Sequence, residues 1–146
     1  MIRLTCTEFE VNAPELGNYL HCRVDVEDQG FVGWCKCMIS EPGWDAFLRD
    51  LADVAEVATS PASIVAGWGE ETYFRLQFEP QDRRGHVWVS GEVGMPVRAR
   101  VDLNPPVSHR LDFAYEIDLA TLDRFIADAR GFKATGQVVE VVGLPT

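Results

Sequence analysis

The chain has 146 residues, of which 47% are hydrophobic, and it is long enough for one domain whose core needs no disulfide or metal staple. Its 23 acidic residues against 13 lysines and arginines give a formal net charge of −10, which argues against nucleic acids and anionic membranes as partners and permits a basic protein. No run approaches the roughly 18 apolar residues of a membrane span, and the N-terminus lacks the features of a secretion signal, so we expect a cytoplasmic protein.

The first forty residues alternate apolar and polar side chains, which is the period of β-strands. Ile2–Val11 is a predicted strand, and a slip in its apolar phase indicates a β-bulge near Thr7 or Glu8. A loop rich in Pro, Gly and Asn follows. Tyr19–Glu27 and Phe31–Ile39 then predict a hairpin, because a glycine near the tip supplies a positive φ at little cost.

Three of the four cysteines lie in this predicted hairpin, which raises the question of a metal site. If the turn is Gln29-Gly30, Cys22 faces Cys37, and if the turn lies one residue earlier, Cys22 faces Cys35. In both registers the three thiols share one apolar face, and Cys6 joins them only if the first strand pairs alongside in the right phase. A single residue separates Cys35 from Cys37, whereas zinc knuckles have two to four. We therefore predict buried core cysteines, no metal and no catalytic thiol.

The alternation of apolar and polar residues ends at Ser40, where Ser-Glu-Pro is typical of a helix start. The pattern predicts a first helix that ends near Val57, followed by a short strand at Ser63–Ala66 that Gly67-Trp68-Gly69 breaks. A hairpin of Thr72–Glu79 and His86–Val93 comes next, and then a strand pair of Val97–Leu103 and Arg110–Asp118. A second helix begins at Leu119 and ends at Gly131, and the tail is Gln137–Val142. This order predicts an α+β fold, a mostly antiparallel, meandering β-sheet with two amphipathic helices packed on it. We take residues 1–146 as a single domain, with 134–146 as a loosely attached C-terminal strand or tail.

No motif for catalysis or cofactor binding is found in the sequence. It has no G-x-S-x-G, P-loop, G-x-G-x-x-G or H-E-x-x-H pattern. The three histidines, His21, His86 and His109, lie far apart and lack the spacing of metal-binding pairs. We therefore predict a protein that is not an enzyme and that binds no cofactor.

One sheet face is an alternative binding site for a small molecule or a metal. In the second hairpin Tyr73, Arg75 and Trp88 share the face opposite the apolar one, and Trp34 is placed similarly on the first hairpin. Aromatic side chains with polar neighbours on an open face can bind a ligand. The more frequent arrangement is that a helix or the tail covers such aromatics, because large aromatics are highly buried on average.

Three stretches carry a resemblance to a known family: GFVGWCKCMISEPGWDAFLRDLADV, RGHVWVSGEV and LDFAYEIDLATLDRFIADAR. Their order, over roughly residues 19 to 133, resembles small bacterial families related to the WapI-type immunity proteins of contact-dependent toxin systems. The resemblance implies a cytoplasmic bacterial protein that binds and blocks a toxin domain. It implies no catalytic residues and no cofactor.

The first helix offers acidic contact residues for such a partner. The range Glu41–Glu56 holds five acids and one arginine, so its local balance is five minus one, or −4. Nuclease toxins engage phosphate through basic sites, which an acidic inhibitor can cover. The predicted contact residues are Asp45, Asp50, Asp53 and Glu56. The alternative interpretation is an ordinary solvated helix face.

Overall fold

The computed structural model describes residues 1–56, 60–68, 72–80, 82–96 and 108–145. Its strands are β1 (Ile2–Glu10), β2 (Tyr19–Asp28), β3 (Phe31–Ser40), β4 (Ala62–Trp68), β5 (Thr72–Phe78), β6 (His86–Pro96), β7 (Ser108–Asp118) and β8 (Val138–Val141). Its helices are α1 (Glu41–Ala55), between β3 and β4, and α2 (Leu119–Arg130), between β7 and β8. The strands join one antiparallel sheet in the order β7-β6-β5-β4-β3-β2-β1-β8. The predicted α+β fold is confirmed.

The first three strands form a continuous ladder with the predicted irregularity. The register of β1 on β2 shifts between Cys6 and Glu8, so the bulge is confirmed. Gln29 and Gly30 form the turn between β2 and β3, with φ of 50° and 85°. Positive φ at both central residues matches the twist of a two-residue hairpin. Of the two predicted registers, this turn selects the one in which Cys22 faces Cys37.

Both helices begin where a side chain caps them. The Ser40 hydroxyl accepts the N–H of the third residue after it at 3.1 Å, as predicted for the start of α1. The Asp118 carboxylate accepts the Thr121 N–H at 2.8 Å at the start of α2, and the hydrogen bonds from Thr121 lower the pKa of Asp118. The Trp44 indole of α1 donates to the Ala129 carbonyl of α2 at 3.2 Å, which ties the helices together. No helix among the described residues is long and apolar enough to cross a membrane.

The sheet has an apolar inner face, and both helices pack on it. The rings of Phe47 in α1 and Phe78 in β5 lie 6.1 Å apart, and those of Phe78 and Phe125 in α2 lie 5.5 Å apart. The inner face includes Leu4, Leu20, Cys22, Val24, Cys35, Cys37, Ile64, Phe74, Leu76, Val87, Val89 and Ile117. The opposite, outer face carries the charged side chains of the same strands.

The sheet curls, so that its edge strand β7 meets the segment that follows β8. The Leu144 N–H donates to the Glu116 carbonyl at 2.7 Å, and the Tyr115 hydroxyl donates to the Val141 carbonyl at 3.3 Å. Burial of Tyr115 raises its pKa, so the phenol keeps its proton for this bond. The curl brings both ends of the chain close to β7.

Two features of the second half differ from the sequence analysis. The strand predicted to break at Gly67 continues through Trp68, because Gly67 pairs with Met38 of β3 and Tyr73 of β5. β7 pairs with β6 along its whole length, a partner that the sequence analysis did not predict. The predicted strand Val97–Leu103 lies outside the described residues.

The C-terminal tail contains β8, which pairs with β1. Val139 lies opposite Leu4 and Val141 opposite Ile2, and all four side chains are buried. The alternation of valines with exposed Val138 and Glu140 places β8 on the sheet with one face toward the core.

Candidate functional site

The cysteines lie on the inner face as a buried cluster. Cys6, Cys22 and Cys37 are consecutive cross-strand partners, and Cys35 lies on the same face. Burial raises the pKa of Cys35 to about 12, and a hydrogen bond with Cys22 together with burial raises the pKa of Cys37. These two thiols therefore keep their protons at neutral pH and are poor nucleophiles. Within the described part of the chain no group of three or more His, Cys, Asp or Glu residues is arranged to hold a metal ion.

The predicted contact residues of α1 divide into two kinds. Asp45 is half-buried, and its Oδ1 lies 3.1 Å from the Nζ of Lys133, which also lies 3.3 Å from Glu41. Partial burial lowers the pKa of Lys133, but hydrogen bonds to Asp45 and Glu41 raise it overall. The other three predicted contacts are exposed and form no ion pair within the described residues: Asp50, Asp53 and Glu56. We call these three the α1 acidic surface.

The aromatic residues predicted on the open sheet face do lie on the outer face. Trp34 is 46% exposed, Tyr73 39% and Trp88 48%. No helix covers these aromatics, because both helices pack on the inner face. The tail residues 142–145 border the same cleft as Trp88, which stays 48% exposed. Exposed large aromatics of this kind are available for binding.

The structure does not bring the four predicted sheet-face residues together. Tyr73 and Arg75 lie two residues apart on β5. Trp34 borders a cleft of about 500 Å³ between β3 and the ends of β6 and β7, which we call the Trp34 cleft. Trp88 borders another cleft of about 430 Å³ between β7 and the chain ends, which we call the Trp88 cleft. The predicted single site is therefore divided among the Trp34 cleft, the Trp88 cleft and the part of β5 that carries Tyr73 and Arg75.

A charged cluster lies around Glu92 on the outer face, and its Arg110 also lines the Trp34 cleft. Arg110 Nη2 lies 2.6 Å from Glu92 Oε2, and Arg75 Nε lies 3.8 Å from Glu92 Oε1. The Glu92 side chain is only 12% exposed. Arg110 also pairs with Asp112 at 2.8 Å, and these acids raise its pKa. Burial and a hydrogen bond to Glu92 raise the pKa of Tyr73. This cluster therefore neutralises its own charges.

The sequence analysis missed Glu92 and Arg110. The charged cluster could be found only from the register of three neighbouring strands, in which Arg75 lies opposite Glu92 and Glu92 lies opposite Asp112. The pairing of β5 with β6 follows from a hairpin and is within reach of sequence reasoning. The segment 97–107 between β6 and β7 contains Asn104-Pro105-Pro106, which predicts a turn for the pair of Val97–Leu103 with Arg110–Asp118 and does not set the register of β6 on β7.

Trp34 already holds a cation of the protein itself. The Arg23 guanidinium carbon lies 4.4 Å above the centre of the Trp34 ring. Asp25, the cross-strand partner of Trp34, holds Arg23 through its carboxylate, with Arg23 Nε 3.0 Å from Oδ1 and Nη2 2.9 Å from Oδ1. The ring face of Trp34 is therefore engaged within the fold.

Trp88 stands in a more acidic setting. Its cross-strand partner is Glu116, which pairs with the imidazole of His86. His86 also lies 3.7 Å from Asp82, whose pKa is lowered by hydrogen bonds from the backbone N–H groups of His86 and Arg84. The Trp88 cleft is lined in addition by acidic residues at the tip of the first hairpin.

Comparisons of this chain with protein-family models and with curated proteins find no match. The arguments for function therefore come from these surfaces.

Proposed function

We propose that the protein is a non-enzymatic, immunity-type inhibitor that acts in a bacterial cytoplasm by binding a basic toxin domain. The observation that supports this proposal is the α1 acidic surface, whose three carboxylates are exposed and lack a counter-ion among the described residues. An unpaired acidic surface attracts a basic partner at long range and disfavours an acidic one. Occlusion of a basic site by α1 would block access to phosphate.

The helix that carries these carboxylates is rigidly supported. Trp44, Phe47, Leu51 and Val54 form its buried side. The Trp44 and Phe132 rings lie 5.3 Å apart, and the Trp44 indole is hydrogen-bonded to α2. A rigid element loses little conformational entropy on binding, so its charges are presented at low cost.

A charge-reversal pair tests the surface. The test variant is Asp50→Lys with Asp53→Lys on α1, and the matched control is Asp123→Lys with Asp128→Lys on the exposed side of α2. Both variants change the net charge by the same amount. Tagged proteins are used to capture partners from the native host at low salt, and the complexes are washed at moderate salt. We expect a basic protein to be retained by the wild type and the control, lost by the α1 variant and released by salt.

Growth on co-expression separates inhibition from mere binding. The captured basic protein is expressed with each of the three inhibitor versions. We expect it to stop growth alone or with the α1 variant, and to be neutralised by the wild type and the control. Equal binding to the α1 variant and the control would contradict the role of α1. A captured protein that is harmless when expressed alone would contradict the immunity function.

A second candidate is a small-molecule or metal-binding module that uses the outer face. The Trp34 cleft supports it, because about 500 Å³ lies within the usual range of ligand pockets. Phe31 and Val32, which line this cleft, are 68% and 73% exposed. Its lining offers one histidine and no carboxylate, which favours an apolar organic ligand over a metal. A ligand-dependent rise in Tm that Val32→Asp abolishes would support this candidate, and the same rise in Val32→Asp would exclude this cleft.

A further inference from the structure

Two tryptophans on the outer face have similar exposure and the same kind of cross-strand partner. Trp34 is 46% exposed and lies opposite Asp25, while Trp88 is 48% exposed and lies opposite Glu116. In each case an indole on one strand faces a carboxylate on the neighbouring antiparallel strand. Cross-strand pairs are the nearest side-chain neighbours in a sheet, so each indole has an acid beside it.

The two pairs also have the same backbone geometry. The Glu27 N–H donates to the Met1 carbonyl at 2.9 Å, so the backbone groups of Glu27 point toward β1. Backbone direction alternates along a strand, so the backbone groups of Asp25, two residues earlier, also point toward β1 and away from β3. The Trp88 carbonyl accepts the Glu79 N–H at 2.8 Å, so Trp88 points its backbone groups toward β5 and away from β7. Both tryptophan–acid pairs are therefore non-hydrogen-bonded pairs, in which side chains approach more closely.

The pairs differ in the cation beside each acid: Arg23 pairs with Asp25, whereas the imidazole of His86, two residues before Trp88 on β6, pairs with Glu116. Arg23 lies two residues before Asp25 and covers the Trp34 ring at 4.4 Å. Ala114 lies two residues before Glu116, so a methyl group stands where the first pair has a guanidinium. Among the described residues, Arg23 makes a cation–aromatic contact with Trp34, and no cation makes one with Trp88.

The charge around Trp88 favours a cation. The lining of the Trp88 cleft, of about 430 Å³, includes Trp88, Ala114, Glu116, Glu27, Asp28 and Met1, beside the tail residues 142–145. In this lining three acidic residues against one N-terminal ammonium give three minus one, a net negative charge of two. An aromatic face beside carboxylates is the arrangement that binds guanidinium and ammonium groups.

We propose that the Trp88 cleft binds the side chain of an arginine from a protein partner. The guanidinium stacks on the Trp88 indole and pairs with Glu116, above Ala114, as Arg23 does with Trp34 and Asp25. Arginine fits better than lysine, because its planar group stacks on an indole and forms a forked pair with a carboxylate. This site lies on the outer face, whereas α1 packs on the inner face, so it does not depend on the α1 acidic surface.

Titration with a blocked arginine tests the site directly. The probe is N-acetyl-arginine-N-methylamide, added to the full chain at low salt and fixed pH while the indole N–H signals are followed by NMR. The signals are assigned with single Trp→Phe variants. We expect a saturable shift of the Trp88 signal and no comparable shift of the Trp34 signal. The citrulline analogue, which is neutral and of similar shape, is expected to give no saturable shift.

Three variants sharpen the result. Ala114→Arg is expected to lose the response, because its own guanidinium takes the place of the probe. Glu116→Gln removes the charge-assisted pair and is expected to bind about fivefold more weakly, the equivalent of ~1 kcal/mol. Trp34→Phe is the matched control and is expected to respond like the wild type. The backbone NMR spectrum checks that each variant is folded. A wild type without a saturable shift, or an Ala114→Arg protein that responds like the wild type, would overturn the proposal.

Discussion

The α1 acidic surface and the outer face of the sheet are both rich in charge, but they arrange it differently. On α1, Asp50 and Asp53 stand exposed without an ion pair among the described residues. On the outer face, Glu92 lies between Arg75 and Arg110, and opposite charges are similarly paired at other places on that face. A helix places neighbours of the same sequence segment on its surface, so an acid-rich segment gives an acid-rich surface.

A sheet instead sets residues from distant segments side by side. The outer face thus balances charges that the sequence shows far apart, such as Arg75 and Glu92. Net charge read along the chain is therefore a good guide to the surface of α1 and a poor guide to the outer face. The exception is the Trp88 cleft, where the carboxylates of the lining outnumber the cation.

The largest expected effect is the loss of the support under α1. Trp44→Ala removes a fully buried indole that contacts Phe47 and Phe132. We expect it to lower the free energy of unfolding by about 3–5 kcal/mol. Trp88→Ala, at a half-exposed indole of the outer face, is the control and is expected to cost less than about 1 kcal/mol. Chemical denaturation measures both, and equal losses would contradict the division into inner and outer faces.

The α1 acidic surface and the outer face both depend on a folded inner face. The buried thiols of that inner face lead us to expect a loss of stability at alkaline pH. The pKa of Cys35 is raised to about 12 from its ordinary value of 9.0. A raised pKa means that the folded state holds the proton more tightly, so stability is full below pH 9 and falls as pH rises toward 12. The expected slope is up to ~1.4 kcal/mol per pH unit for each such thiol.

Denaturation curves between pH 8 and pH 11, under reducing conditions, measure this slope. Cys35→Ala is expected to have a shallower pH dependence than the wild type, although it is less stable at every pH because of its cavity. Parallel curves for the two proteins would show that Cys35 contributes nothing to the alkaline loss.

The next effect tests the charge balance of the outer face. Glu92→Gln keeps the size of the side chain but leaves Arg110 and Arg75 without their shared carboxylate. We expect a loss of about 1–3 kcal/mol, because the replaced side chain is nearly buried and charge-assisted hydrogen bonds are lost. Asp112→Asn, at an acid that is 62% exposed, is the control and is expected to change stability by less than about 0.5 kcal/mol. If the two variants lose equally, the Glu92 cluster is not a stabilising network.

The smallest expected effect belongs to the α1 acidic surface. Asp50→Lys with Asp53→Lys is expected to change the free energy of unfolding by less than about 0.5 kcal/mol, because neither carboxylate has an ion pair among the described residues to lose. Asp45→Lys, which repels Lys133 instead of pairing with it at 3.1 Å, is expected to cost more than the double variant. Thermal unfolding compares the two, and the reverse order would show that Asp50 and Asp53 have a structural role.

Much of the fold could be predicted because its signals are local. The bulge near Glu8, the cap at Ser40 and the apolar side of each helix depend on residues within a few positions of one another. The site was harder to predict. The sequence placed Trp34, Tyr73, Arg75 and Trp88 on one type of face, which the structure confirms, but it could not give the distances that divide them between separate surfaces.

Sequence alone determined both helices, the first hairpin, the face of each predicted strand that is apolar, and the acid-rich side of α1. These follow from side-chain period and from neighbours along the chain. Tertiary structure alone decided that β7 pairs with β6 and β8 with β1, that the helices leave the outer face open, and that Ala114 occupies the position equivalent to Arg23. The physical reason is that strand order and register join segments far apart in the chain, and no local preference specifies which segments meet.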